Sequence, residues 1–227
     1  MYAPSHNWFR LATLVFATLL GVQSVWLLLT ELSRPGIDRL PTSAEAATNS
    51  AEQRNDAAWA AWIGAIRGDL WAESAFTYAD LLWASPDTGP QGTSALGHVR
   101  ADLDKALRYA PHQADAWLLL AGLEERYQSP RSDPAEALKM SYYTGPSERT
   151  QIPLRLSVAV HLDTLDDPEV QQFIRRDLRF LFAQHQSSAV AEAYGRASPA
   201  GKHFIEQAVG EIDPAYLGSL HASTQKP

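Results

Sequence analysis

The sequence predicts an all-α chain, with a single amino-terminal transmembrane helix followed by an array of antiparallel helices. Three observations carry that prediction. Leu11 to Leu29 is a nineteen-residue run without a charged side chain. Beyond residue 50, apolar residues recur at steps of three and four, the period of one helix face. Capping side chains also stand directly before proline at several points, and no run of alternating β-branched residues is long enough for a sheet strand.

The apolar run, LATLVFATLLGVQSVWLLL, would extend roughly 28 Å as a helix, close to the ~30 Å hydrocarbon core of a bilayer. Thr, Ser and Gln23 are scattered along it without forming the polar face of a core helix. Trp8 and Trp26 lie near its ends, where aromatic rings favour the interface, and Arg10 and Glu31 bracket it. A cleaved leader is the rival reading. Leader apolar segments run about 7–15 residues with a small-x-small site close behind. Here the run is longer, and Ala44-Glu45-Ala46 follows only at a distance. The expectation is therefore an uncleaved single-pass anchor in a cell membrane, contacting lipid through residues 11–29. Lys and Arg counts on the two flanks favour neither orientation. A short amino tail before a large carboxyl domain resembles a signal-anchor, which would put the domain outside the cytoplasm; a cytoplasmic domain is the alternative. Thr13, Ala17 and Gly21 recur every four residues and, with Gln23, form a candidate face for a partner helix, chance being the other explanation.

The expected organisation is a tail and membrane helix over 1–32, a linker over 33–50 and a helical domain over 51–227. Pro35–Ser50 is rich in breakers and small polar residues and lacks an apolar face. Helices are expected over Ala51–Arg67, Asp69–Ala84, Ala95–Ala110, Gln113–Tyr127, Ala135–Tyr143, Glu169–Gln184, about Ala189–Ala197 and Ala200–Ile212. Ser85–Ser94 is a turn-rich loop, and a short turn begins at Pro214. In the first helix Ala58, Trp59, Trp62, Ile63 and Ile66 make the expected core stripe. Asp133-Pro134, Asp167-Pro168, Ser198-Pro199 and Asp213-Pro214 are start signals. The first residue of each accepts from free amides, and the proline lacks an N–H that the first turn does not need.

Val99–Pro146 resembles the tetratricopeptide repeat, a helix pair recurring about every 34 residues. Ala106-Leu107 followed by Pro111 matches the end of a second helix; Trp117, Leu120 and Ala121 match the aromatic, hydrophobic and small positions of the next first helix. Pro146 closes the period. Gly122 falls one place late, and Glu124 stands at the usual tyrosine position. The resemblance implies a TPR-like α-solenoid whose groove receives a peptide or helix, and so binding to a protein partner.

Composition narrows the function classes. Nineteen Lys and Arg against 26 Asp and Glu give a formal charge of −7, a poor match for nucleic acid. With no cysteine, thiolate metal sites, disulfides and cysteine nucleophiles are excluded. No zinc-helix pair, nucleophile elbow or phosphate loop occurs, so no catalytic residue, cofactor or metal is expected and a small-molecule substrate is disfavoured. His161 with Asp163, Asp166 and Asp167 is the densest ligand cluster, and it reads more simply as a helix end followed by a capped start. Asp102/Asp104 and Glu124/Glu125 are expected on solvated faces.

Two functional readings result. In the first, a bacterial inner-membrane scaffold or accessory subunit of a cell-envelope complex presents Trp117, Tyr142, Tyr143, Arg175, Arg176 and Arg179 as its interaction surface. In the second, the tryptophan-rich half, with Trp59, Trp62, Trp71, Trp83 and Trp117, binds or processes an envelope polysaccharide.

Overall fold

The computed structural model describes residues 6–34, 50–84, 90–127, 133–162, 165 and 167–223. All secondary structure among these residues is helical. The chain divides into two compact units, with the boundary between Tyr109 and Ala110, so the expected 51–227 domain falls into two. Most of the expected linker, half of the Ser85–Ser94 loop, Asp163, Asp166 and the side chain of Trp83 lie outside the described residues.

The first unit contains α1 (His6–Leu32), α2 (Ala51–Ile63), α3 (Gly68–Ala84) and α4 (Pro90–Tyr109). Ser50 starts α2 with a capping box: its hydroxyl accepts from Gln53 N–H at 3.1 Å, and Gln53 accepts from Ser50 N–H at 2.8 Å. The middle helix, α3, packs against both α2 and α4. It is accordingly buried on nearly every side, through Leu70, Trp71, Ala72, Ala75, Phe76, Ala79 and Leu82. From α4, Ala95, Val99, Leu103 and Ala106 supply one buried stripe at helical spacing. That helix starts at Pro90, earlier than the expected Ala95.

The face of α2 that turns inward is not the expected one. Ala57, Ala60 and Ala61 are buried, whereas Trp59, Trp62 and Ile66 are 52%, 67% and 66% exposed. Small side chains let α2 lie close to α3, and the indoles are left on the outer face.

The second unit contains α5 (Ala114–Tyr127), α6 (Pro134–Thr144), α7 (Ile152–Ala159), α8 (Pro168–Ala183), α9 (Ser187–Arg196), α10 (Pro199–Ile212) and α11 (Leu217–Ser223), with single 3-10 turns at Arg149–Gln151 and Pro214–Tyr216. A hairpin is formed by α5 and α6, in which Ala121 and Leu118 are fully buried while Leu120 is half-buried. Helix α7 touches α5, α6, α8 and α9, and its position was not expected from the sequence. Three of the four start signals cap as expected: Asp133 accepts from Ala135 N–H at 2.9 Å, Asp167 from Glu169 N–H at 2.8 Å, and Ser198 from Gly201 N–H at 3.0 Å, whereas Asp213 precedes only the 3-10 turn at Pro214–Tyr216 and its side chain makes no cap bond there.

Two carboxylates expected at solvated positions are buried. Asp102 is 8% exposed and accepts from the Ser74 hydroxyl at 2.7 Å. Glu124, on the α6-facing helix α5, is 2% exposed.

Candidate functional site

Helix α1 is long and apolar enough to cross a membrane over Trp8–Leu32, and none of its most apolar stretch is covered by the rest of the chain. Its carboxyl end is tied into the first unit. Trp26 donates its indole N–H to the Ile63 carbonyl at 2.8 Å, where α2 ends. One turn and more beyond, the contacts become ionic. Arg67, in the turn between α2 and α3, bonds Glu31 at 2.6 Å and Asp69 at 2.5 Å, and donates to the Thr30 hydroxyl at 3.3 Å. Arg34 bonds Glu73 through Nε at 2.6 Å and through a second guanidinium nitrogen, and lies 3.6 Å from Glu31. Both nitrogens meet the same oxygen, Glu73 Oε1, and Glu73 is 3% exposed, so the carboxylate side of this pair is desolvated while Arg34 stays partly in water. Burial pushes the Asp69 carboxyl up, but the Arg67 guanidinium outweighs it and leaves the group below the usual carboxylate range. Two arginines and three carboxylates thus form a collar where the apolar helix meets the folded unit.

The expected partner-helix face stands open. Thr13, Ala17, Gly21 and Gln23 are exposed, the Thr13 hydroxyl returns to the Phe9 carbonyl at 2.9 Å, and a Cβ on Gly21 would meet nothing within 4 Å.

No family model, curated protein or solved structure matches this chain. What it can do is therefore argued from its own surfaces.

Of the expected interaction residues of the second unit, Tyr142 is not at the surface, while Tyr143 and Arg176 meet on Phe173. Tyr142 is 1% exposed: its hydroxyl donates to Asp177 at 2.8 Å, and its ring stacks on Phe173 at 4.6 Å. It belongs to the core, because its position on α6 faces α8. Tyr143 is exposed and donates to Glu169 at 2.5 Å. Arg175 is paired with Glu211 at 2.5 Å and lies over Phe204. Arg176 sits over Phe173 and Tyr142, with Asp177 at 3.7 Å, and Arg179 is exposed. Trp117 is half-buried, its N–H donating to the Pro111 carbonyl at 2.8 Å.

The tryptophan-rich half divides. Trp71 is mostly buried, its N–H on the Ala65 carbonyl at 3.0 Å and Lys105 Nζ 3.6 Å from its ring centre. Trp59 and Trp62 are exposed neighbours, edge to face at 5.4 Å.

Of the possible metal cluster, Asp167 caps α8 and accepts from Lys139 at 3.0 Å, while His161 donates from Nδ1 to the Ser157 carbonyl at 2.7 Å. No group of three His, Asp or Glu residues suited to a metal occurs among the described residues.

A buried polar centre in the second unit had no sequence signal. Arg155, on α7, is 1% exposed. Its guanidinium donates to the Ser141 hydroxyl at 3.0 Å, the Ser141 carbonyl at 2.5 Å, the Gly145 carbonyl at 3.0 Å and Gln151 Oε1 at 2.7 Å. It therefore adds a second donor, from inside the fold, to carbonyls at the end of α6 that already accept from the Gly145 and Glu148 backbone N–H groups.

Proposed function

We propose that this chain is a single-pass membrane protein that works as a helical scaffold or accessory subunit in a membrane or cell-envelope complex. The observation that carries the reading is the uncovered apolar α1 joined to the collar. An apolar helix destined for a soluble core would have its surface covered, and this one does not. A leader destined for removal would have no use for Arg67–Glu31, Arg34–Glu73 and Trp26–Ile63, which join α1 to α2 and α3. These bonds support an anchor retained in the mature protein.

The mechanism is tethering: anchorage raises local concentration, and the helical surfaces supply specificity. The α3/α4 and α5/α6 hairpins suit the tetratricopeptide-like solenoid reading, in which stacked helix pairs present a binding groove. The partner is a protein, and the exposed Thr13, Ala17 and Gly21 face offers it a contact inside the membrane. The inner membrane of a bacterial envelope, with both units outside the cytoplasm, is the location this reading takes.

The test is extraction and co-purification. Membranes washed with carbonate should retain the full 25.0 kDa chain, and mild detergent should release it with a stoichiometric protein partner. Recovery of a shortened soluble form, or of a partner-free monomer from intact membranes, would overturn the proposal. The polysaccharide reading keeps one specific support, the exposed Trp59–Trp62 pair; a change in indole emission on adding envelope glycans would favour it.

A further inference from the structure

The outer face of α2 and the turn after it expose large apolar side chains on an element that packs against α1. Trp59 and Trp62, three positions apart on α2, and Ile66, in the turn after it, are all more than half exposed. In water this would be an isolated apolar patch, of the kind a folded surface avoids. Its place in the first unit is set by the Trp26–Ile63 hydrogen bond, which attaches the end of α2 to α1 beside residue 26. Trp26 lies five residues before Glu31, about 7–8 Å down the helix from the collar at 1.5 Å per residue. Helical side chains lean toward the amino end, which carries the Trp26 ring, and the α2 terminus bonded to it, further from the collar. The collar is where charged groups gather, so it belongs at the water side of the headgroups. The end of α2 then lies below it, at the depth where indole rings are favoured for their apolar body and polar N–H.

We infer that Trp59, Trp62 and Ile66 dock into the lipid headgroup–acyl boundary, so that α2 is an interfacial helix seated beside the transmembrane helix. The occupant of this face is bilayer lipid. The inference rests on the anchor reading above and adds to it: the first unit is held against the membrane at a fixed tilt by two elements instead of swinging on one. The alanine face of α2 points to protein and the tryptophan face to lipid, which accounts for a helix whose largest side chains are its most exposed.

The chain has no cysteine, so single cysteines can be placed for environment-sensitive dyes in the full-length protein. Ile66→Cys and Trp62→Cys report the proposed face, Phe16→Cys reports the membrane helix, and Arg179→Cys reports an exposed site on the second unit. Each labelled chain is reconstituted into phosphatidylcholine/phosphatidylglycerol vesicles carrying nitroxide on the lipid chain near the headgroup, with iodide as the aqueous quencher. The expected result is a blue-shifted emission at positions 62 and 66 that is lost mainly to the lipid nitroxide, with position 179 lost to iodide. If position 16 responds to the lipid nitroxide while 62 and 66 respond to iodide, lipid docking is wrong and the anchor stands. If position 16 does not respond to lipid either, the anchor reading fails and this inference with it. Shielding of 62 and 66 from both quenchers, together with cross-linking between chains, would assign the face to a second copy and overturn the inference.

Discussion

Arg155 has a charged head with almost no access to water, and its stability rests on four oxygens placed around it by α6, the turn that follows α6, and the 3-10 turn that leads into α7. Burial pulls its basicity down, with Tyr142 and Asp177 acting in the opposite sense. Removing the guanidinium takes one donor from the Ser141 and Gly145 carbonyls, which keep the Gly145 and Glu148 backbone N–H groups, and takes the same guanidinium from Gln151 Oε1 and the Ser141 hydroxyl inside the core. Arg155→Met, which keeps the stem, should lower the unfolding free energy by about 2–4 kcal/mol in a urea titration. Its neighbour Asp177 should respond to pH. Burial raises its carboxyl above the usual range, against the Tyr142 hydrogen bond and the nearby Arg176 and Arg155. A carboxyl whose folded value is raised contributes stability that is full below the unfolded value and lost as pH rises through the folded one. Asp177→Asn, which keeps an oxygen for the Tyr142 hydroxyl, should therefore flatten the fall of the urea midpoint as pH rises above the ordinary aspartate range. An unchanged pH dependence would show that Asp177 ionises as freely in the fold as outside it. Neither residue was legible in the sequence. Arg155, on a helix the apolar period does not mark, meets partners four to fourteen positions away, and Asp177 meets one thirty-five positions away on another helix.

At the scale of elements, local signals were readable and facing directions were not. Asp133, Asp167 and Ser198 cap helices where their proline pairs said they would, because a cap needs only its own backbone within three residues. Helix α7 escaped notice because it is eight residues long, carries Pro153 and is entered through Gln151, which makes no side-chain cap. The stripe on α2 is legible, but what it faces is not; an apolar face toward lipid and one toward protein have the same period, and only the alanine packing against α3 separates them. Two glycines give a test of element packing. The amino end of α10 abuts the last turn of α7: Ser198 N–H and its hydroxyl both donate to the Val160 carbonyl, at 3.2 and 3.0 Å. A Cβ on Gly201 would run into that same carbonyl, and backbone cannot step aside as a side-chain tip can. Gly201→Ala should cost about 1–3 kcal/mol, seen as a lowered thermal midpoint. Gly97, inside α4, would meet nothing within 4 Å, so Gly97→Ala should instead add roughly 0.5–1 kcal/mol through helix propensity. Equal effects at both sites would mean the α7–α10 approach is looser than described.

For the molecule as a whole, the sequence pointed to an apolar amino-terminal helix followed by helices, and the structure is helical throughout the described residues with that helix uncovered. It could not show that the helix is also a structural part of the first unit. The ionic partners, Glu31 with Arg67 and Arg34 with Glu73, are 36 and 39 positions apart, and in the sequence Glu31 and Arg34 read only as charges flanking a span. If α1 is built into the unit, removing residues 1–34 does more than release the protein from a membrane. Glu73 stays largely buried and loses the Arg34 guanidinium, Arg67 keeps Asp69 but loses Glu31, and the Ile63 carbonyl loses the Trp26 donor. Hydrogen exchange on the shortened chain should therefore speed up across α2 and the first turns of α3. Amides of α8 and α10, which pack on α6, α7, α9, α11 and each other, should keep their protection. Unchanged protection in α2 and α3 would mean that α1 is a detachable tether, and that the collar contributes nothing to holding the first unit together.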